Sequence, residues 1–176
     1  MVYNIAKTEI VNKSLILSPL KIKQKISRIA HQIVEFNYDE KEIYLVGIKQ
    51  GGAILGELIY KEIKSITTIP VHLNLLSLDK SDPLNGKIEL DAPVENLDNK
   101  TVILIDDVLE SGRTLMYAAQ FLLNRPLKKL STTILVDRMH PKFPIRADFV
   151  GLTLSTTLQN HIQLEEENGE LAVYLT

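Results

Sequence analysis

The chain of 176 residues contains no cysteine, which excludes disulfides, thiol nucleophiles and thiolate-held zinc or iron-sulfur centres. A reducing compartment suits such a chain, and a cytoplasmic location is expected. Long apolar runs are missing as well. Charge interrupts each one well before the roughly 20 residues that span a bilayer, so no membrane segment is expected. The first ten residues, MVYNIAKTEI, lack the basic-then-apolar order of a secretory signal. Without export, Asn12-Lys13-Ser14 and Asn99-Lys100-Thr101 read as chance matches to a glycosylation triplet. A basic surplus is also absent, with 20 Lys and Arg against 22 Asp and Glu for a net charge of -2. Bulk attraction to nucleic acid is therefore excluded, and any RNA binding must use a local patch. The four histidines, His31, His72, His140 and His161, lack zinc spacing. Neither a kinase-type P-loop nor GxGxxG occurs, and no serine hydrolase elbow is present.

What is present is ordinary soluble composition, 45% hydrophobic and 24% charged, in a length that fits one domain with a substantial core. No repeat, linker or second-domain boundary appears, so residues 1–176 are expected to form a single domain. Ser18-Pro19 is a helix start, and Ile22, Ile26, Ile29, Ala30 and Ile33 recur at helical spacing until Asn37-Tyr38-Asp39. Residues 42–48, EIYLVGI, form a short apolar strand stopped by glycines, and GAILGELIYKEI after it reads as a helix. A strand near 71–75 precedes a polar stretch, 77–98, broken by Pro83, Asn85-Gly86 and Pro93, which reads as a lid loop or hairpin. Strand 101–106 leads through ESGRT into a helix over 115–123, and strand 131–137 follows. Alternating strands and helices imply an α/β fold with a mostly parallel central sheet. Residues 161–166 and 170–175 flank Asn168-Gly169, a signal for a C-terminal antiparallel hairpin.

The chemistry concentrates in VILIDDVLESGRT, residues 102–114. An apolar strand delivers Asp106 and Asp107 to its carboxyl end, where open α/β sheets place ligands. Adjacent carboxylates repel, so they need partners such as ribose hydroxyls or hydrated magnesium. Ser111, Gly112, Arg113 and Thr114 then suit a phosphate: the glycine lets backbone amides turn inward, the hydroxyls donate, and the next helix offers its positive N-terminus. The plainer alternative is a polar turn in which Ser111 or Thr114 caps a helix.

This stretch resembles the phosphoribosyl pyrophosphate (PRPP) motif of type I phosphoribosyltransferases. SRIAHQIVE, LVGIKQGGAILGELI, and LVDR followed by PIRADFVG are similar, in order and spacing, to the pyrimidine operon regulator/uracil phosphoribosyltransferase family. The resemblance implies that Asp106 and Asp107 meet the ribose hydroxyls with Mg2+ held through water, and that Ser111, Gly112, Arg113 and Thr114 hold the 5-phosphate. It implies that Lys49, Gln50, Gly51 and Gly52 receive the pyrophosphate, although Gly51-Gly52 could equally be a tight turn. By the same resemblance Arg138, Phe149 and Val150 border the nucleobase; alone, Phe149 would be read as core and Arg138 as a surface ion pair. Uracil is the implied acceptor, in pyrimidine salvage or regulation.

The sequence departs from that family in three places. Gly51 stands where an arginine is usual, and the lid lacks a Tyr-Arg pair, leaving Lys80 and Lys87 as the cations expected to substitute. Glu110 occupies a spot where purine-specific relatives carry an acidic general base. It is counted as catalytic with Asp106 and Asp107, keeps a purine acceptor open, and is otherwise a glutamate favoured by the helix dipole. The resemblance also implies a homodimer with an RNA-binding face at Ser27, Arg28, His31 and Arg146. Pro141 and Leu152 replace basic residues of that face, and a non-catalytic nucleotide-sensing regulator is the second expectation.

Overall fold

The computed structural model describes residues 13–155, 161–167 and 169–176. Its first helix, α1 (Pro19–Phe36), starts at the Ser18-Pro19 signal, with the Ser18 hydroxyl accepting the Lys21 amide at 3.4 Å. All five of its periodic apolar residues, Ile22, Ile26, Ile29, Ala30 and Ile33, are buried. Asn37 closes the helix, its side-chain amide donating to the Ile33 carbonyl at 2.7 Å.

The central sheet is built from β2 (Ile43–Ile48), β3 (Val71–Ser77), β4 (Glu89–Leu90), β5 (Thr101–Leu109), β6 (Lys129–Asp137) and β7 (Phe149–Thr153), in the order β4-β3-β2-β5-β6-β7. Every pairing is parallel except that of β4 with β3. Helices α2 (Gly51–Ile66) and α3 (Arg113–Leu123) make the crossovers. On one face Ile33, Leu55 and Ile59 pack against Leu45, Ile103 and Ile105. On the other, Leu115 and Leu122 pack against Val46, Val102 and Leu104. Because both faces of β5 are covered, it reads as an unbroken apolar run rather than an alternating one.

Three elements differ from the sequence expectation. Strand β5 continues past the acidic pair to Leu109, because Val108 and Leu109 pair with Val136 and Asp137. The stretch after β3 is not one open loop: Leu76 and Ser77 pair with Leu90 and Glu89, and a short 3-10 helix (Val94–Leu97) buries Leu97. Residues 78–88 remain as an arm at the carboxyl end of the sheet. The expected hairpin, β8 (Ile162–Glu167) with β9 (Glu170–Leu175), forms, but joins β1 (Ser14–Leu17) in a separate antiparallel sheet ordered β1-β9-β8. Asn168, part of the hairpin signal, lies outside the described residues, as do residues 1–12. No helix among the described residues is long and apolar enough to cross a membrane.

Candidate active site

A cleft of about 410 Å³ opens at the carboxyl end of β5, between the 78–88 arm and the start of α3. Asp106 forms part of its floor. Its side chain is 5% exposed, and Oδ1 accepts the Asp107 amide at 3.1 Å and the Lys80 ammonium at 3.1 Å. Burial, followed by the neighbouring Asp107 charge, pushes the Asp106 carboxyl up to about 7, with Lys80 pulling the other way. Such a group is costly to keep ionised and has a ready use for a ligand hydroxyl or cation.

The two glycines of the predicted pyrophosphate loop press directly on this pair. A β-carbon on Gly52 would stand 2.6 Å from the Ile105 carbonyl oxygen and 2.9 Å from Asp106 Cα. One on Gly51 would stand 2.1 Å from Asp107 Oδ2. Gly52 has no space for a side chain against this backbone, and Gly51 has none while Asp107 holds its place. The turn into α2 is made by Gln50 at φ 78, a region disfavoured for a residue with a β-carbon. Lys49 and Gln50 are exposed beside it.

Gly112, at φ 81, turns the chain into α3, and Ser111, Gly112, Arg113 and Thr114 line the same cleft as the acidic pair. A buttress not foreseen from sequence holds this loop from behind. The Ser111 carbonyl accepts the amides of Lys142 at 2.8 Å and Phe143 at 3.1 Å. Ile145 Cγ2 would lie 2.7 Å from a β-carbon on Gly112. The Ser111 hydroxyl accepts the Arg113 amide at 3.3 Å, closing a local turn just before the helix, whose N-cap is Gly112 and not Ser111 or Thr114.

Glu110 also lines the cleft, and its carboxylate is ion-paired to Arg138. Arg138 is not on the surface: it is 1% exposed, its amide donates to the Leu109 carbonyl at 3.0 Å, and its guanidinium meets Glu110. The expected base cation and the expected general base thus form one unit.

The structure does not bring Phe149 and Val150 to the cleft. Phe149 opposes Thr133, four positions before the Asp137 end of β6, and is buried edge-on against Phe36 of α1 with ring centroids 5.7 Å apart. The Val150 carbonyl accepts the Arg28 guanidinium at 2.6 Å. An aromatic side chain between a strand and a helix gains more by completing the core than by facing solvent. The apolar residues of the cleft that keep accessible surface are instead Val108 on β5 and Ile162 on β8.

The expected RNA face is partly engaged within the fold. Arg28 also bonds Gln32 at 2.9 Å and the Gly151 carbonyl at 2.9 Å, tying α1 to β7. His31 Nδ1 lies 2.8 Å from the Ser27 carbonyl, while Arg146 is exposed. Lys87 does not line the cleft and makes an ion pair with Glu89.

A parallel sheet carrying an acidic pair and a glycine-hydroxyl loop at the carboxyl end of one strand defines a sugar-phosphate transferase of the phosphoribosyl class. The chain belongs to the phosphoribosyl transferase family, whose domain matches residues 14–167. Within it the chain is PyrR-like. It is 37% identical over 166 residues to the bifunctional protein PyrR of Haemophilus ducreyi, covering 89% of this chain and 91% of that one. To the PyrR of Staphylococcus epidermidis it is 36% identical over 176 residues, covering 94% and 99%. Among solved structures it is similar in fold to a hypoxanthine-guanine phosphoribosyltransferase of Bacillus anthracis, with TM-score 0.75, 19% identity and coverage of 94% and 100%. The hypoxanthine phosphoribosyltransferase of Trypanosoma cruzi gives TM-score 0.75, 15% identity and coverage of 91% and 95%.

Proposed function

We propose that this chain transfers the phosphoribosyl group of PRPP to uracil, giving UMP and pyrophosphate. The observation that carries the reading is the meeting of three segments in one place: Asp106 and Asp107 on the cleft floor, the Ser111 to Thr114 loop beside them, and Gly51-Gly52 pressed on the pair. The first would hold the ribose hydroxyls and the second the 5-phosphate. The third would let the pyrophosphate approach the N-terminus of α2. The bond from the sugar carbon to pyrophosphate breaks, a bond from that carbon to the base nitrogen forms, and the nitrogen proton departs. Glu110 is the proton acceptor placed at the cleft. Catalysis by such a site is positioning plus charge stabilisation.

With Lys80 already against Asp106 and Asp107, Mg2+ would be carried mainly by the pyrophosphate of PRPP and would reach the acidic pair only through water. When bound, the ion would offset charge building on the departing pyrophosphate. Uracil is favoured by the similarity to PyrR proteins, and Val108 and Ile162, both half-buried at the cleft, offer apolar surface to a planar ring. The ion-paired Glu110 favours a purine as the second acceptor. A non-catalytic sensor on the same scaffold is the reading from another class, favoured by Gly51 and by a lid whose one cleft-lining cation is Lys80. Incubation with PRPP and Mg2+ against uracil, hypoxanthine, guanine and xanthine, with Asp107→Asn as control, decides among them. Uracil consumption is expected, and failure to consume any base overturns the enzymatic reading.

A further inference from the structure

We propose that Lys80 is the resident counter-ion of the acidic pair, so that a sugar monophosphate binds this cleft without a divalent cation. The inference rests on the reading of the cleft as a ribose 5-phosphate site. Lys80 Nζ lies 3.1 Å from Asp106 Oδ1 and 3.8 Å from Asp107 Oδ1. Its stem crosses from the 78–88 arm to a carboxylate that is almost wholly buried.

The arm presents this lysine in a fixed way. Both ends are held by the pairing of β3 with β4. Asp79 Oδ1 accepts the Ser81 amide at 2.9 Å, the Ser81 hydroxyl at 2.6 Å and the Asp82 amide at 3.3 Å, making a side-chain-closed turn around Lys80. The Gly86 amide donates to the Asp82 carbonyl at 2.9 Å, and a β-carbon on Gly86 would meet Asp79 Cβ at 2.8 Å. Pro83 is buried between them.

The other charges at the cleft do not perform this task. The Glu110 carboxylate is paired with Arg138, and the Arg113 guanidinium lies 6.0 Å from the Tyr117 ring centroid. Among the described residues Lys80 is the cation that touches the pair. A divalent ion on the same oxygens would face a like charge at hydrogen-bond range, which disfavours it. Among the described residues no third acidic or histidine side chain joins Asp106 and Asp107 in a metal-holding group, whereas a hard cation takes about six oxygens. A divalent ion therefore enters on the pyrophosphate of PRPP, and ribose 5-phosphate, which has none, needs only the lysine.

Calorimetric titration of the full chain with ribose 5-phosphate, in EDTA and in Mg2+, tests this. The wild type is expected to bind equally in both. Lys80→Ala should bind at least roughly tenfold more weakly in EDTA and regain affinity in Mg2+, while Lys80→Arg keeps metal-free binding. A wild type that requires Mg2+, or a Lys80→Ala protein that binds normally in EDTA, overturns the proposal. Mn2+ alone, followed by its paramagnetic resonance signal, is expected to bind more tightly to Lys80→Ala than to wild type. Equal Mn2+ affinities overturn the counter-ion role whether or not the sugar phosphate binds. Absence of ribose 5-phosphate binding to the wild type would overturn the sugar-phosphate reading instead.

Discussion

Asp106 shows how a functional group costs the fold stability. Its carboxyl is raised from the ordinary range to about 7, so the folded chain holds a proton that the unfolded chain has released between about pH 4 and pH 7. Stability therefore falls as pH rises through that window, by on the order of a few kcal/mol. The carboxylates with lowered values, Glu40 and Glu42 among them, act in the opposite sense and at lower pH. Urea unfolding at pH 5 and pH 8 should find the wild type less stable at pH 8. In Asp106→Asn that difference should narrow while ribose 5-phosphate binding is lost. An unchanged difference would mean that burial of Asp106 is not the cause. Gly51 gives the second prediction at this scale. Gly51→Arg supplies the cation usual in the family, yet its β-carbon meets Asp107 Oδ2 at 2.1 Å. Sugar-phosphate affinity is expected to fall by roughly tenfold or more; an affinity gain would show that Asp107 moves aside freely.

Among elements, the loop into α3 is the one whose backbone conformation decides function. Gly112 combines φ 81 with a contact to Ile145, and a left-handed conformation costs other residues about 1 to 2 kcal/mol. Gly112→Ala should lower the urea midpoint accordingly and weaken phosphate binding together with it. A stability loss with intact binding would show that the loop amides do not depend on this turn. The loop itself was legible in the sequence, because strand, acidic pair, glycine and helix follow one another locally. So was α1, whose cap and five-residue face are periodic. The buttress at Lys142 and Phe143 was not legible, since its bonds are made by backbone amides that carry no residue-type signal. For Phe149 the residue alone pointed to the core, and only the family resemblance placed it at the base. The register with Thr133, which decides between them, is a tertiary fact. Ile162 was hidden because nothing in a polar hairpin marks one isoleucine as facing a cleft on a different sheet. Strand β1 was missed because four residues give no period and its partner β9 lies at the other end of the chain.

At the scale of the whole molecule, the net charge of -2 and the internal bonds of Arg28 leave Arg146 as the exposed arginine of the expected RNA face, so any RNA retention is predicted to be weak. Retention of structured RNA in a filter assay is expected to vanish between about 50 mM and about 200 mM salt, and retention that survives would restore the RNA face. The cleft as a whole is assembled from two sheets. Lys80, the acidic pair and the phosphate loop belong to the central one, but Ile162 arrives on β8, an edge strand held by β9, which is itself held by β1. A chain emerging from the ribosome can thus form the phosphate half of its site while Ile162 is still missing from its apolar wall. Ile162 takes its place only once β9 has been made and has paired with both β8 and β1. A nascent or truncated chain should accordingly grip a sugar phosphate before it can discriminate among bases.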